Sequence, residues 1–281
     1  MLRATRVWMS LVTACLLAPL LLAAQATDPK PVPDPAPVSD PRFGEVRVGG
    51  PAPKRDISGI WKPQIGAQGT GAANMPADGK PEHQMLYTPF GLEMAKKNKS
   101  SNGPDAVAAV DENDPAHACD PQGFPRQDLF EMRTTQFIQT PIKTVLLYTY
   151  GKVYRVVWTD GRALPVDPDP HWYGYSVGKW ANDTDFVIDT NGTDARTWID
   201  NAGRPHSEDL RVQEVFHRVD SYNMELTVTI DDPKVYQKPW VALKNVHFVM
   251  MPPNTDLLEM MCSPSELARY NKAYAPASKK K

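Results

Sequence analysis

Short stretches in which apolar and polar residues alternate dominate the chain from Thr134 onward, and turn residues separate them. An alternation with period two, rich in β-branched and aromatic residues, predicts strands that bury one face. The stretches fall into four pairs with short connections, which predicts four hairpins: 145–150 with 152–159, 172–181 with 184–190, 211–219 with 224–230, and 241–251 with 255–262. The pattern therefore predicts an antiparallel meander of about nine or ten strands.

An open meander of this size leaves two unpaired edges, and closing it into a barrel removes them. A two-sheet sandwich is the alternative. The short apolar strand at 57–61 contains Gly59 and Trp61. A similar Gly-x-Trp pair lies on the first strand of lipocalin-like barrels, where the tryptophan closes one end. We therefore predict an all-β fold, a lipocalin-like barrel that can hold a small ligand, with short flanking helices at 89–97 and 264–272.

The N-terminus has the pattern of a signal peptide. Two arginines precede an apolar stretch at 7–24, and Ala24 and Ala26 place small residues at the −3 and −1 positions of a cleavage site. A retained membrane anchor is the alternative, but Pro19 interrupts the stretch and no basic cluster follows it. We predict that residues 1–26 are removed and that the protein is periplasmic or secreted, with no stable membrane span after processing.

The rest of the chain divides by composition. Residues 27–55 are rich in proline and poor in large apolar side chains, so they cannot offset their ordering entropy and are predicted to form a linker. A single barrel domain at 56–272 and a polar tail at 273–281 follow. Loss of the two signal-peptide arginines leaves 29 basic against 33 acidic residues, a net charge of −4. This balance argues against nucleic acid as a partner.

Two cysteines, Cys119 and Cys262, remain after signal cleavage. An isolated pair in an oxidising compartment is predicted to form a disulfide, which ties a mid-chain loop to the C-terminal region. Two separate buried thiols are the alternative. Neither cysteine has a CxxC spacing and the six histidines show no metal-ligand spacing, so the sequence predicts no metal site and no cofactor.

Six short motifs between residues 119 and 240 carry a resemblance. They are CDPQGFPR at 119–126, TDGR at 159–162, HWYGYSVGKW at 171–180, TWID at 197–200, HSE at 206–208, and DDPK through PW at 231–240. Together they resemble a group of secreted proteins of proteobacteria and acidobacteria that has no established activity. The resemblance implies export and a β-rich fold, and it adds no catalytic residue.

Chemically reactive side chains are concentrated between residues 160 and 218. Imidazole beside carboxylate makes a general acid–base pair near neutral pH. Because strand ends and loops of a barrel cluster at its rims, we predict that nine of these residues converge at one mouth. The predicted catalytic residues are His206, Glu208, His171 and Asp160, and the predicted binding residues are Arg162, Trp172, Tyr175, Glu214 and Arg218.

Structural roles account for the same residues without a shared site. Both histidines can cap loops, and the stretch from Asp160 to Arg162 can be a tight turn around its glycine. Glu214 and Arg218 share one face of a strand by period two, and a buried pair there needs mutual compensation. What favours a site is the concentration of imidazole, carboxylate, guanidinium and aromatic groups in one stretch.

Three functions remain open at this point. The first is a binding protein that holds a small apolar or aromatic molecule inside the barrel. The second is a cofactor-independent enzyme, an isomerase, hydratase, lyase or hydrolase, that uses a His–carboxylate pair in the same cavity. The third is an envelope interaction protein with a filled interior. An empty cavity with a few polar groups favours the first two functions, whereas a packed interior favours the third.

Overall fold

The alternating stretches fold into the strands of a closed barrel. The structure is a computed structural model that describes residues 37–40, 44–64, 71–130 and 132–274, which all lie within one compact unit, Pro35–Lys281. The predicted signal peptide at 1–26 and most of the predicted tail lie outside the described residues. Within them, the strands are β1 Pro37–Asp40, β2 Gly44–Arg47, β3 Gly59–Pro63, β4 Thr135–Gln139, β5 Lys143–Tyr148, β6 Tyr154–Trp158, β7 Tyr175–Trp180, β8 Asp185–Asn191, β9 Arg211–Arg218, β10 Asn223–Asp231 and β11 Trp240–Met250.

The helices are short and flank the barrel. They are α1 Pro89–Ala95, α2 Arg126–Leu129 and α3 Pro264–Tyr274, with 3₁₀ turns at Pro81–His83 and Pro115–Ala118. Helix α1 begins where the sequence predicts, because Thr88 accepts a hydrogen bond from the Gly91 N–H and Pro89 occupies the first turn. Strands β1 and β2 pair as a separate hairpin within the proline-rich segment at 27–55.

Nine strands close the barrel in the order β10-β11-β3-β4-β5-β6-β7-β8-β9. This confirms the prediction of an all-β barrel with short flanking helices. One part of the prediction is wrong, because β6 and β7 run parallel, with Val157 opposite Ser176 and Trp158 opposite Val177. Parallel neighbours need a crossover connection. Residues 159–174 supply it, and their prolines prevent the tight turn of a hairpin.

Three of the four predicted hairpins are present, namely β5–β6, β7–β8 and β9–β10. The fourth is wrong, since β11 pairs on its far side with β3, where Met250 lies opposite Trp61. The segment predicted as its partner makes an isolated bridge between Tyr150 and Met260 instead. Two prolines directly after β11 cannot donate to a ladder, and pairing with β3 closes the barrel.

Apolar side chains from the inner strand faces fill the barrel. Leu146, Ile188 and Phe216 are among those that are almost completely buried. The segment before β4 adds to this interior, because Phe124 and all four residues of α2 are buried. These residues belong to one continuous cluster of buried hydrophobic side chains. The interior of the barrel is therefore a packed core in the part of the chain that the structure describes.

Trp61 and Arg218 lie together at one end of the barrel. Trp61 is fully buried, and its Nε1–H donates to the carbonyl oxygen of Ile57 at 3.1 Å. The Arg218 guanidinium lies 4.6 Å from the centre of the Trp61 ring. It also donates to the carbonyl oxygens of Asp56 at 2.7 Å and Ser221 at 3.0 Å. These contacts tie the entry into β3 to the turn between β9 and β10.

The predicted disulfide between Cys119 and Cys262 is present, with the two Cα atoms 5.2 Å apart. It connects the segment that enters α2 to the segment that precedes α3. Within the described residues, no helix has both the length and the apolar character that a membrane crossing requires.

Candidate functional site

The structure brings three of the nine predicted site residues into direct contact. Arg162 forms an ion pair with Asp160, with 2.6 Å between Nη2 and Oδ2, and its Nη1 donates to the Tyr175 hydroxyl at 3.0 Å. The hydrogen bond from Arg162 lowers the pKa of the Asp160 carboxyl. The guanidinium also stacks over the ring of Trp158 at 3.7 Å. The crossover loop is therefore fastened to the ends of β6 and β7.

His171 and Trp172 are neighbours in sequence and have different surroundings. His171 is exposed, and its Nδ1 lies 2.6 Å from the carbonyl oxygen of Asp169. His171 and Tyr175 line one crevice, described below. Trp172 lies outside that lining and stacks against the guanidinium of Arg196, with 4.4 Å between them.

His206 and Glu208 do not form the expected acid–base pair. His206 is fully buried, with Nε2 2.9 Å from the Thr197 hydroxyl and Nδ1 3.1 Å from the Ser207 carbonyl oxygen. Burial lowers the pKa of the His206 imidazole, which favours its neutral form. Glu208 is exposed and lines a groove on the outer surface. His206 therefore has the contacts of a structural residue.

Glu214 and Arg218 point inward, as the period of two predicts, but they do not pair with each other. Glu214 forms a bidentate ion pair with Arg155 of β6, at 3.1 Å for Nη1–Oε1 and 2.7 Å for Nη2–Oε2. Arg218 binds Trp61 and backbone carbonyls, as described above. The burial of Arg218 lowers the pKa of its guanidinium. The two residues thus belong to separate parts of the interior.

A buried polar network surrounds the Arg155–Glu214 pair. Arg155 donates to the hydroxyls of Tyr148 at 2.9 Å and Ser176 at 3.1 Å, and its guanidinium stacks on Phe124 at 3.7 Å. Burial by itself would lower the pKa of Arg155. The Glu214 carboxylate acts in the opposite direction, and the net result is a raised pKa, so the guanidinium keeps its charge. The pair satisfies most of the donors and acceptors that a buried charge requires.

Asp128 of α2 extends this network. Burial, followed by the charge of Glu214, raises the pKa of the Asp128 carboxyl well above its usual value. Asp128 Oδ2 meets no hydrogen-bond donor among the described residues. A carboxyl oxygen without a donor is suited to carry the proton. The protonated form of Asp128 is therefore favoured beside the Glu214 carboxylate.

Sequence reasoning missed Asp128, Tyr148 and Arg155. Arg155 could have been found, because it has the same parity as buried Val157 within β6 and so had to face inward. Tyr148 follows from the alternation of β5 in the same way. Asp128 had no comparable signal, since α2 is a single turn with all four residues buried.

An aromatic crevice lies beside the short pairing of β6 with β7. The two strands are in register over only two residue pairs, at the end of β6 and the beginning of β7. The gap has a volume of about 230 Å³. Its lining includes backbone or side-chain atoms of the network residues Arg155 and Ser176. The rest of the lining consists of Val156, Gly174 and five residues with ring side chains: Tyr154, Trp158, His171, Tyr173 and Tyr175.

Two larger grooves lie on the outer wall. One, of about 730 Å³, runs over β7 to β10 beneath the crossover loop and contains Arg162 and Lys179. The other, of about 480 Å³, contains Glu208 and the prolines of the crossover. The two grooves meet at Arg211 and Asp231, which line both. Apolar side chains and charged side chains of both signs line these grooves, whereas rings dominate the crevice.

Comparison of the chain with known protein families, curated proteins and solved structures finds no match in any of the three. The resemblance to secreted proteins of proteobacteria and acidobacteria therefore stays a prediction.

Proposed function

We propose that the chain is an exported binding protein for a small planar or aromatic molecule, held in the crevice between β6 and β7. The observation that carries this proposal is the concentration of five ring side chains around one gap of about 230 Å³. Aromatic faces stack on flat apolar ligands, and tyrosine hydroxyls and an imidazole at the rim add directed hydrogen bonds. The two larger grooves described above have no aromatic or histidine side chain in their lining.

The size of the crevice limits the ligand to about one ring system. A cavity of about 150 Å³ is enough to hold benzene, whereas sites for drug-sized ligands begin at about 300 Å³. The ligand class is therefore a single aromatic ring, or two fused rings, with a polar substituent. Burial raises the pKa of Tyr173 to about 12, so its hydroxyl keeps its proton as a hydrogen-bond donor across the physiological range.

Contacts within the protein hold the walls of the crevice. The centre of the Trp158 ring lies 3.7 Å from the Arg162 guanidinium and 5.8 Å from the Lys143 amine. The His171 N–H donates to the carbonyl oxygen of Gly192, directly after β8, at 2.9 Å. Pre-organised side chains lower the entropy cost of binding. These contacts support a preformed site.

The proposal moves the ligand from the interior to the wall of the barrel. The packed core described above occupies the space in which the sequence prediction placed the ligand. The packed interior favours the alternative of an envelope interaction protein, whereas the crevice favours ligand binding. The enzyme alternative loses its His206–Glu208 pair, because His206 is buried and Glu208 lies at the surface.

Export rests on two observations. The Cys119–Cys262 disulfide is typical of oxidising compartments. The first 26 residues have the pattern of a cleaved signal peptide. Thr27 is thus the expected N-terminus of the mature protein, and sequencing of the mature chain from a periplasmic or culture fraction tests this.

The binding proposal is tested with phenol and indole as probes, by ligand-observed NMR and calorimetry on the mature disulfide-bonded protein. We expect saturable binding of at least one probe, weakened at least tenfold in Tyr154→Ala and Tyr175→Ala. Tyr154 is largely exposed, so its variant should fold normally. Trp172→Phe is the matched control, since Trp172 stacks on Arg196 outside the crevice. Binding that is lost in the control and kept in Tyr154→Ala would reject the crevice as the site.

A further inference from the structure

Three side chains of metal-ligating types meet in the loop before the disulfide. Glu112, Asp114 and His117 each offer one ligand atom, and these atoms all lie within 4.8 Å of one another. Ligand atoms around a tetrahedral zinc ion are roughly 3.4 Å apart, given bonds of about 2.1 Å. Shifts of about 1 Å therefore bring the three atoms onto one ion. We propose that Glu112, Asp114 and His117 bind one divalent transition-metal ion of the Zn²⁺ class.

The Glu112 side chain is the independent observation that points to a cation. Only 2 % of this side chain is exposed. Its Oε1 accepts the Ser101 N–H at 3.0 Å, but Oε2 has no hydrogen-bond partner among the described residues. The His117 Nδ1 is 3.4 Å from this oxygen, beyond an ordinary hydrogen bond. A buried carboxylate oxygen without a donor is costly, and a bound cation offsets that cost.

Asp114 is held in the orientation of a ligand by its own partners. Its Oδ1 accepts hydrogen bonds from the Ala116 N–H at 2.9 Å and from Arg126 Nη1 at 2.7 Å, which uses both lone pairs. Its Oδ2 accepts only from Arg126 Nη2, at 2.5 Å. One lone pair of Oδ2 is therefore left for an ion. Hydrogen bonds that orient a ligating carboxylate are the usual outer shell of a metal site.

The ligand set selects the class of ion. One imidazole with two carboxylates suits Zn²⁺ and the neighbouring divalent transition metals, whereas Mg²⁺ and Ca²⁺ prefer oxygen ligands alone. His117 is mostly exposed, so solvent reaches the site and water can complete the coordination. The Arg126 charge offsets one carboxylate and leaves one negative charge for the ion to neutralise. Through Asp114 and Arg126, the ion would connect the loop to α2.

The structural alternative is an ion pair in which a protonated His117 compensates Glu112 without any metal. The metal site and the ion pair predict different results. A metal ion that binds only the folded protein stabilises it more as the concentration of the ion increases. In the ion-pair case, added metal has no effect on the melting temperature, and His117→Ala lowers that temperature in chelator. In the metal case, Zn²⁺ raises the melting temperature of the chelator-treated protein, and this rise disappears in His117→Ala.

The deciding experiment titrates the mature, disulfide-bonded, chelator-treated protein with Zn²⁺ by calorimetry and with Co²⁺ by visible absorption. We expect one ion per chain and a loss of affinity of at least tenfold in Glu112→Gln and His117→Ala. Because His117 is mostly exposed, its variant should fold, and circular dichroism with thiol labelling checks this.

His83→Ala is the matched control. Like His117, His83 lies beside a carboxylate, with 2.9 Å between its Nδ1 and Asp78 Oδ1, but it lies outside the cluster. Its variant should bind the ion as the wild type does. Equal affinity in wild type and His117→Ala, no saturable binding by wild type, or loss of the ion in His83→Ala would each overturn the proposal.

Discussion

Two arginines have almost the same contacts in opposite regions of the molecule. Each pairs with a carboxylate, donates to a tyrosine hydroxyl and stacks on an aromatic ring 3.7 Å away. Inside the barrel, Arg155 has Glu214, Tyr148 and Phe124, and on the crossover loop Arg162 has Asp160, Tyr175 and Trp158. The closest ion-pair distances are also alike, at 2.7 Å inside and 2.6 Å outside.

What separates the two sets is water. The Arg155 side chain is 1 % exposed and that of Arg162 is 37 % exposed. Inside, every missing partner leaves a desolvated charge, and this costs several kcal/mol. Outside, water replaces a missing partner at little cost, and salt screens the pair. A list of contacts therefore does not give their energy, because the energy depends on what replaces each contact when it is removed.

The largest expected effect is the loss of the buried cation. Arg155→Met leaves the Glu214 carboxylate without its counter-charge, and we expect it to destabilise the fold by about 3–5 kcal/mol. Arg162→Met removes the corresponding cation at the surface, and we expect the urea midpoint to stay close to that of the wild type. Urea denaturation followed by circular dichroism measures both. Similar losses in the two variants would show that exposure does not decide the energy of the pair.

The second prediction concerns the proton on Asp128. Asp128 is protonated in the folded protein, since burial and then Glu214 raise its pKa, whereas it ionises at about pH 3.9 in the unfolded chain. The unfolded state therefore binds fewer protons above that pH, and the stability of the protein falls as the pH rises. Asp128→Asn is uncharged at every pH, like the protonated acid, and removes this dependence. We expect the variant to be more stable than the wild type at neutral pH and similar to it near pH 3.5.

Denaturation in urea between about pH 3.5 and pH 7 tests the sign of this prediction. Asp160→Asn is the outside counterpart, and its expected sign is opposite. Because Arg162 lowers the pKa of Asp160, that carboxylate contributes stability above its unfolded pKa and loses it as the pH falls. An Asp128→Asn variant that is less stable than the wild type at neutral pH would contradict the protonated state.

The same comparison shows what the sequence could predict. Turn residues between alternating stretches marked three hairpins, and the inward direction of Glu214 and Arg218 followed from the period of two. Their partners did not follow, because a cross-barrel contact such as Glu214–Arg155 depends on how the sheet closes. The pattern along one strand indicates which face of the sheet a residue occupies. It does not indicate which residue of a strand across the barrel that residue contacts.

The crossover shows the limit for the candidate site. The sequence singled out Asp160, Arg162 and Tyr175, and the structure joins them. It could not supply the crevice, because the crevice lies beside the short parallel pairing of β6 with β7, and the pattern along either strand does not give that pairing. The predicted clustering of all nine residues assumed that the loops meet at one rim, whereas several of them lie in the core.

The third prediction compares the two tyrosine hydroxyls. Burial raises the pKa of Tyr148 well above its usual value, so its hydroxyl stays protonated beside Asp128 and Arg155. Tyr148→Phe leaves a buried guanidinium donor without its acceptor, and we expect a loss of about 1–3 kcal/mol in urea denaturation. Tyr175→Phe removes the acceptor from half-exposed Arg162, where water takes its place, and we expect a loss of less than about 0.5 kcal/mol. Equal losses of stability in the two variants would contradict this prediction, because they would show that burial does not change the contribution of the hydroxyl.

The smallest effect is a shift in the titration of Asp160. The hydrogen bond from Arg162 holds the pKa of this carboxyl below its ordinary value at the protein surface. The Debye length falls to about 3 Å in about 1 M salt, so the charge of Arg162 acts less strongly on its neighbour. We expect carbon-detected NMR to show the Asp160 midpoint moving upward in NaCl, and moving further upward in Arg162→Met.

The Asp128 carboxyl is the internal control, because burial shields it from salt and its midpoint should not follow. If both carboxyls respond alike, or if Asp160 does not move in Arg162→Met, the surface set is as insulated as the buried one and water does not distinguish the two arginines.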